Sequence, residues 1–227
     1  MPPTDDALRR VDTLMQQQHY DEAIECLTVM RRAQVDPTLE RLLAVCRYEA
    51  YASRAPHANV ADPWAGVPDR AFTFSAGLPE VHANELSAAT LAAGIRHHGA
   101  LLVRGLFSAS TAAQLEGGIR EALAACAAWR TRGSGEFASS WYTRLPLRKG
   151  SKLAGARPWV EGRGDGVWLA DSPRMLFELT ELFNTSGITR LIEEYFGERP
   201  MLSVGKSTLR CVPSTMGPAD WHQDGAF

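Results

Sequence analysis

Cysteine is scarce in this 227-residue chain, and what there is does not cluster. Cys26, Cys46, Cys126 and Cys211 lie far apart with no Cys-x-x-Cys pair. That excludes a disulfide framework and a zinc knuckle and predicts isolated reduced thiols. Charge of one sign is also lacking. The 24 Lys and Arg nearly balance the 26 Asp and Glu, for a net charge of −2. No basic stripe is left to hold a nucleic-acid backbone or an anionic membrane surface, so neither partner is expected. No apolar run reaches the roughly 20 residues that a membrane-spanning helix needs. The first residues, Met1-Pro2-Pro3-Thr4-Asp5-Asp6, are polar and acidic and lead into no signal-peptide apolar region. A cytoplasmic protein is therefore expected. Hydrophobic residues make up 45% of the chain, enough for one globular domain with a small extra module.

Residues 5–54 carry helical periodicity. Leu8, Val11, Leu14 and Met15 form one stripe, and Ala23, Ile24, Leu27 and Met30 form the next. Val35-Asp36-Pro37 interrupts the pattern, and Pro37 suits the first turn of a third helix bearing Leu39, Leu42, Leu43, Val45, Cys46 and Tyr48. Tyr20-Asp21-Glu22-Ala23-Ile24 followed by Pro37 resembles one tetratricopeptide repeat, a pair of antiparallel helices. Residues 1–60 are accordingly assigned to a small helical extension, which either covers the next domain or docks a protein partner through residues 5–54. Residues 61–79 hold several prolines and glycines and read as a linker.

From residue 80 the pattern changes. A helix follows Ser87 and stops at Gly99; Ala100–Arg104 reads as a short buried strand; Gly105-Leu106-Phe107 turns; Ser108 then caps a long helix to Trp129 with Leu115, Ile119, Leu123 and Cys126 on one stripe. Residues 130–170 interleave Arg and Lys with Trp141, Tyr142, Trp159 and Trp168, which suits either a wall for an anionic substrate or a solvated loop. Gly162-Arg163-Gly164-Asp165-Gly166 is no dinucleotide fingerprint, because no strand precedes it. Two amphipathic helices follow, one from Pro173 and one after Gly187, the second closed by Gly197. Residues 201–212 read as a strand with Lys206, Thr208 and Arg210 on one face. The run Gly205-Lys206-Ser207-Thr208 imitates a phosphate-binding loop, but Pro200 stands where the first glycine belongs and a strand follows in place of a helix.

The chemistry gathers at Trp221-His222-Gln223-Asp224-Gly225-Ala226-Phe227. On a strand, His222 and Asp224 point to one face, where an imidazole and a carboxylate can share a metal ion. Spacing alone does not establish this, since about one such His-x-acid match is expected by chance. His19-Tyr20-Asp21 is one, and its helical setting puts the two side chains on different faces.

The segment 221–227 resembles the metal-binding stretch of the phytanoyl-CoA dioxygenase-like family of Fe(II)- and 2-oxoglutarate-dependent oxygenases. Gly99-Ala100-Leu101-Leu102-Val103-Arg104-Gly105-Leu106-Phe107-Ser108 is similar to an earlier motif of that family, in the same order. The resemblance covers roughly residues 80–227. It implies an α+β domain built on a double-stranded β-helix, the cupin-like jelly roll, with flanking helices. It also implies Fe(II) as cofactor, 2-oxoglutarate and O2 as cosubstrates, and hydroxylation of a small-molecule or acyl-type substrate. His222 and Asp224 become two of three iron ligands, and the carboxylate at 224 favours hydroxylation over halogenation. Lys206 and Arg210 become candidates to meet the far carboxylate of 2-oxoglutarate. No histidine follows Asp224, so the distal ligand and its accompanying arginine have no counterpart here. Residues 80–227 are thus expected to be the N-terminal portion of the oxygenase domain, inactive by themselves. The alternative is a helical-repeat interaction protein whose C-terminal half is a non-catalytic oxygenase relic.

Overall fold

The computed structural model describes residues 5–53, 77–132, 139–146, 160 and 166–212. Three helices come first: α1 (Asp5–Gln16), α2 (Tyr20–Ala33) and α3 (Pro37–Ser53). Their apolar stripes close on one another through Val11, Leu14, Ala23, Leu27, Leu39, Leu43 and Cys46. The turn out of α1 is a Schellman motif, with His19 N–H donating to Leu14 O at 2.9 Å and Gln18 N–H to Met15 O at 3.1 Å. Its left-handed position is held by Gln18 at φ 62°, where glycine is usual. Asp36 caps α3, accepting from Thr38 N–H at 2.7 Å, with Pro37 in the first turn as its sequence position suggested.

Next comes a parallel β-α-β unit. β1 (Glu80–His82) pairs with β2 (Leu102–Arg104), Val81 opposite Val103, and α4 (Ala88–His98) crosses between them. Ser87 Oγ accepts from Thr90 N–H, and Gly99 ends α4 in the left-handed conformation. β2 is shorter and less covered than expected: Leu102 and Val103 are half-buried and Arg104 is exposed, paired with Glu80. Among the described residues β2 pairs with β1 alone.

Ser108 caps α5 (Ala109–Arg132) through Thr111 N–H at 3.0 Å. Its fully buried row is Gly118, Ala122 and Cys126. Leu115 and Ile119 flank that row and are only partly buried. α5 thus turns its narrow, small-residue side inward and approaches its neighbours closely. β3 (Gly166–Trp168) pairs antiparallel with β4 (Thr208–Arg210), Val167 opposite Leu209. Between them lie a short 3-10 turn (Leu169–Asp171), α6 (Pro173–Thr185) and α7 (Ile188–Phe196).

The main core sits where α5, α6 and the β3–β4 pair meet. It contains Ala122, Leu145, Trp168, Leu169, Met175, Leu176, Val204 and Leu209, and α3 adds Ala44 and Tyr48. Phe177 of α6 reaches the other way, into the cluster of α1–α3. The chain is therefore mostly helical with a few small strands, an α+β mix. Among the described residues no closed barrel is present and no helix is long and apolar enough to cross a membrane.

Candidate functional site

His222 and Asp224 lie outside the described residues, as do residues 147–159 and 161–165 of the Gly- and Arg-rich stretch. Of the predicted site residues, Lys206 and Arg210 are described, and both are exposed. Their placement corrects the reading of 201–212 as one strand. Only Thr208–Arg210 is strand, and Val204–Lys206 is a turn. The reason is local. The carbonyl of Ser203 accepts from Lys206 N–H at 3.0 Å, Ser207 N–H at 3.2 Å and Ser207 Oγ at 3.1 Å, so these groups close on themselves in place of a neighbouring strand. Lys206 and Arg210 thus share no strand face. Arg210 stands opposite Gly166 at the end of the β3–β4 ladder that leads toward residues 213–227.

That ladder rests on a packed loop. Asp171 is fully buried; its Oδ1 accepts from Leu145 N–H at 2.8 Å and its carbonyl from Thr143 N–H at 2.9 Å. Ser172 Oγ donates to Trp141 O at 2.7 Å. Tyr142 is fully buried against Trp129, whose other contact is the Arg144 guanidinium 4.3 Å from the ring centroid. So within residues 139–146 Tyr142 and Leu145 belong to the interior, while Arg144 and Pro146 face solvent.

Two charged clusters escaped the sequence reading. In the first, fully buried Glu40 meets two arginines. Arg31 Nε donates to its Oε1 at 2.6 Å, and Arg174 Nε lies 2.5 Å from the same oxygen, outside hydrogen-bond geometry. Arg31 also stacks 4.4 Å over Phe177. The second cluster lines a cavity of ≈ 720 Å³ between α2, α3, α6, α7 and residues 199–204. Arg32 grips Glu181 with two hydrogen bonds, 2.6 and 3.0 Å, which raises the guanidinium pKa. Arg47 lines the same cavity. Burial pushes its pKa down to about 10, opposed by Glu181, so it stays charged at neutral pH. A signal for both was present: Glu40, Leu43 and Arg47 fall on one helical stripe, and a charge on an apolar stripe needs a partner.

Among the described residues no three His, Cys, Asp or Glu side chains are grouped as a metal site. Compared with known protein families, with characterised proteins and with solved structures, the chain gives no significant match.

Proposed function

We propose that residues 80–227 are the N-terminal part of an Fe(II)/2-oxoglutarate-dependent dioxygenase, phytanoyl-CoA dioxygenase-like, that hydroxylates a small-molecule or acyl-type substrate. The observation that carries it is the pair His222 and Asp224, set between Trp221 and Gly225-Ala226-Phe227. The donor chemistry fits, since one imidazole and one carboxylate are two of the three ligands of a facial triad that suits non-haem Fe(II). The reading requires a second imidazole to complete that set. The order of β2, the turn at Gly105 and the Ser108-capped α5 agrees with the upstream half of the resemblance and supports the reading. Further strands complete the jelly roll on the β3–β4 pair, residues 1–60 form a helical extension, and the protein works in the cytoplasm.

In this reading His222 and Asp224 hold the metal, which with 2-oxoglutarate and O2 supplies the oxidising chemistry. The balance is one 2-oxoglutarate, one O2 and one C–H bond in; succinate, CO2 and one C–OH bond out. The chain's own task is positioning. Arg210, at the end of a ladder anchored by Val167 and Leu209, is the candidate for the far carboxylate of 2-oxoglutarate, while Lys206, on the preceding turn, is not on its strand face. The test is succinate release by the full-length protein with Fe(II) and 2-oxoglutarate. Asp224→Ala is expected to abolish it, and undiminished release in that variant removes the ligand assignment. The 227 residues alone are expected to give no turnover.

A further inference from the structure

The cavity between the helical extension and the α6–α7 hairpin is chemically two-sided. Ile24, Val29, Phe183, Ile192 and Leu202 give it apolar walls. Its ≈ 720 Å³ lies within the range of small-molecule sites, which pair such walls with a few polar anchors. The polar anchors here are Arg32, Arg47 and Glu181. Both carboxylate oxygens of Glu181 are taken by Arg32. Arg47 Nη1 is sealed from solvent and has no hydrogen-bond acceptor among the described residues. The lining holds three guanidinium groups, Arg32, Arg47 and Arg199, and four carboxylates, Asp21, Glu22, Glu25 and Glu181, so the cavity's pull on an anion is local to Arg47 and not a net positive field. Arg47 is half-buried, and a shielded guanidinium nitrogen with no acceptor is unfavourable in a purely structural role, because its lost hydration is not replaced.

We propose that this cavity is a binding site for an amphipathic monocarboxylate, its carboxylate on Arg47 and its apolar body along Val29, Phe183 and Ile192. The site is built wholly from α2, α3, α6, α7 and residues 199–204 and does not depend on the metal-site reading.

The test uses the full chain and two probes of equal apolar length, decanoate and decan-1-ol, in isothermal titration calorimetry. Wild-type protein is expected to bind decanoate at least about tenfold more tightly, as a charge-assisted contact requires. Arg47→Met is expected to abolish that preference. Val29→Trp fills the groove from an exposed position, 59% accessible, and is expected to weaken both probes. Absent binding of decanoate, equal binding of the two probes by wild type, an undiminished preference in Arg47→Met, or unchanged decanoate affinity in Val29→Trp each overturns the proposal. Should Arg47→Met fail to fold, the wild-type comparison and Val29→Trp still decide.

Discussion

Glu40 of α3 and Arg174 of α6 meet with Oε1 and Nε 2.5 Å apart, and the carboxylate that joins them is wholly shielded from water. Arg31 of α2 shares that oxygen, so three helices from opposite ends of the chain converge on one atom. Removing the shared acid leaves Arg31 without its hydrogen-bonded partner and Arg174 with only Glu178, 3.9 Å away, among the described carboxylates. Glu40→Ala is therefore expected to lower unfolding free energy by about 3 kcal/mol or more, measured by urea denaturation. The exposed pair Arg9–Asp6, 74% and 89% accessible, serves as control. Asp6→Ala is expected to change stability by less than about 0.5 kcal/mol. Similar effects at the two sites would show that Glu40 is not the joint between the helical extension and α6.

The helix boundaries were legible because they are local. Ser87, Ser108, Pro37, Gly99 and Gly197 act within one turn of where they stand. The strands were less legible, since three residues such as Glu80–His82 hold too little alternation to register, and their pairing is set by neighbours far along the chain. The inward side of α5 was misjudged for another reason. Gly118, Ala122 and Cys126 are small, and weight given to large apolar residues points to Leu115 and Ile119 instead. The candidate metal pair was legible as chemistry through its motif, while the Glu40 and Arg47 clusters required knowing which helices meet.

Gln18 occupies the left-handed position of the Schellman turn at φ 62°, where a Cβ crowds the following carbonyl. Glycine there is free of that crowding but has more freedom to lose on folding. The steric term, roughly 1–2 kcal/mol, exceeds the entropic one. Gln18→Gly is expected to raise the thermal midpoint, and Gln18→Val to lower it. A lower midpoint for Gln18→Gly would mean that the turn holds its conformation without strain.

Burial raises the pKa of Glu178, with Arg174 opposing and Glu40 reinforcing. An acid with a raised folded-state pKa binds more protons folded than unfolded. Its contribution to stability therefore falls as pH rises from its unfolded value through its folded value. Glu178→Gln is expected to be more stable than wild type at pH 7. The difference should vanish below the ordinary glutamate range, where both side chains are neutral. Urea denaturation at pH 7 and near pH 3 measures the two gaps, and a Glu178→Gln variant less stable than wild type at pH 7 would show that the Arg174 contact dominates instead.

The four thiols should separate by accessibility, with half-buried Cys26 between the exposed and buried ones. Cys46 is buried, and burial pushes its pKa up to about 12, so almost no thiolate exists at neutral pH. Its thiol donates to Met15 Sδ at 3.0 Å, and Cys126 is likewise buried. Cys211 is exposed just beyond β4. Titration with a disulfide reagent under native conditions is expected to show Cys211 first and Cys46 and Cys126 only after unfolding. Cys211→Ser should remove the fast phase. A fast phase that survives would place another thiol at the surface.

Gly94 sets helix propensity against packing within α4. Alanine in a helix interior is favoured over glycine by about 1 kcal/mol, so Gly94→Ala would stabilise an isolated helix. In the fold, however, a Cβ at 94 would stand 2.9 Å from Leu101 Cβ and 3.2 Å from its Cδ1. Leu101 Cβ is bonded to the main chain that enters β2, so relief requires moving α4 from the strand or turning the leucine out of its place. Overpacking of this kind typically costs about 1–3 kcal/mol, which equals or exceeds the propensity gain. Gly94→Ala is therefore expected to destabilise the protein by up to about 2 kcal/mol in chemical denaturation. Gly117 on α5, where no atom lies within 4 Å of an added Cβ, should be stabilised by the same change. If both variants gain stability, α4 is free to shift away from Leu101, and the close approach of that helix to β2 is not what fixes the β1–β2 register.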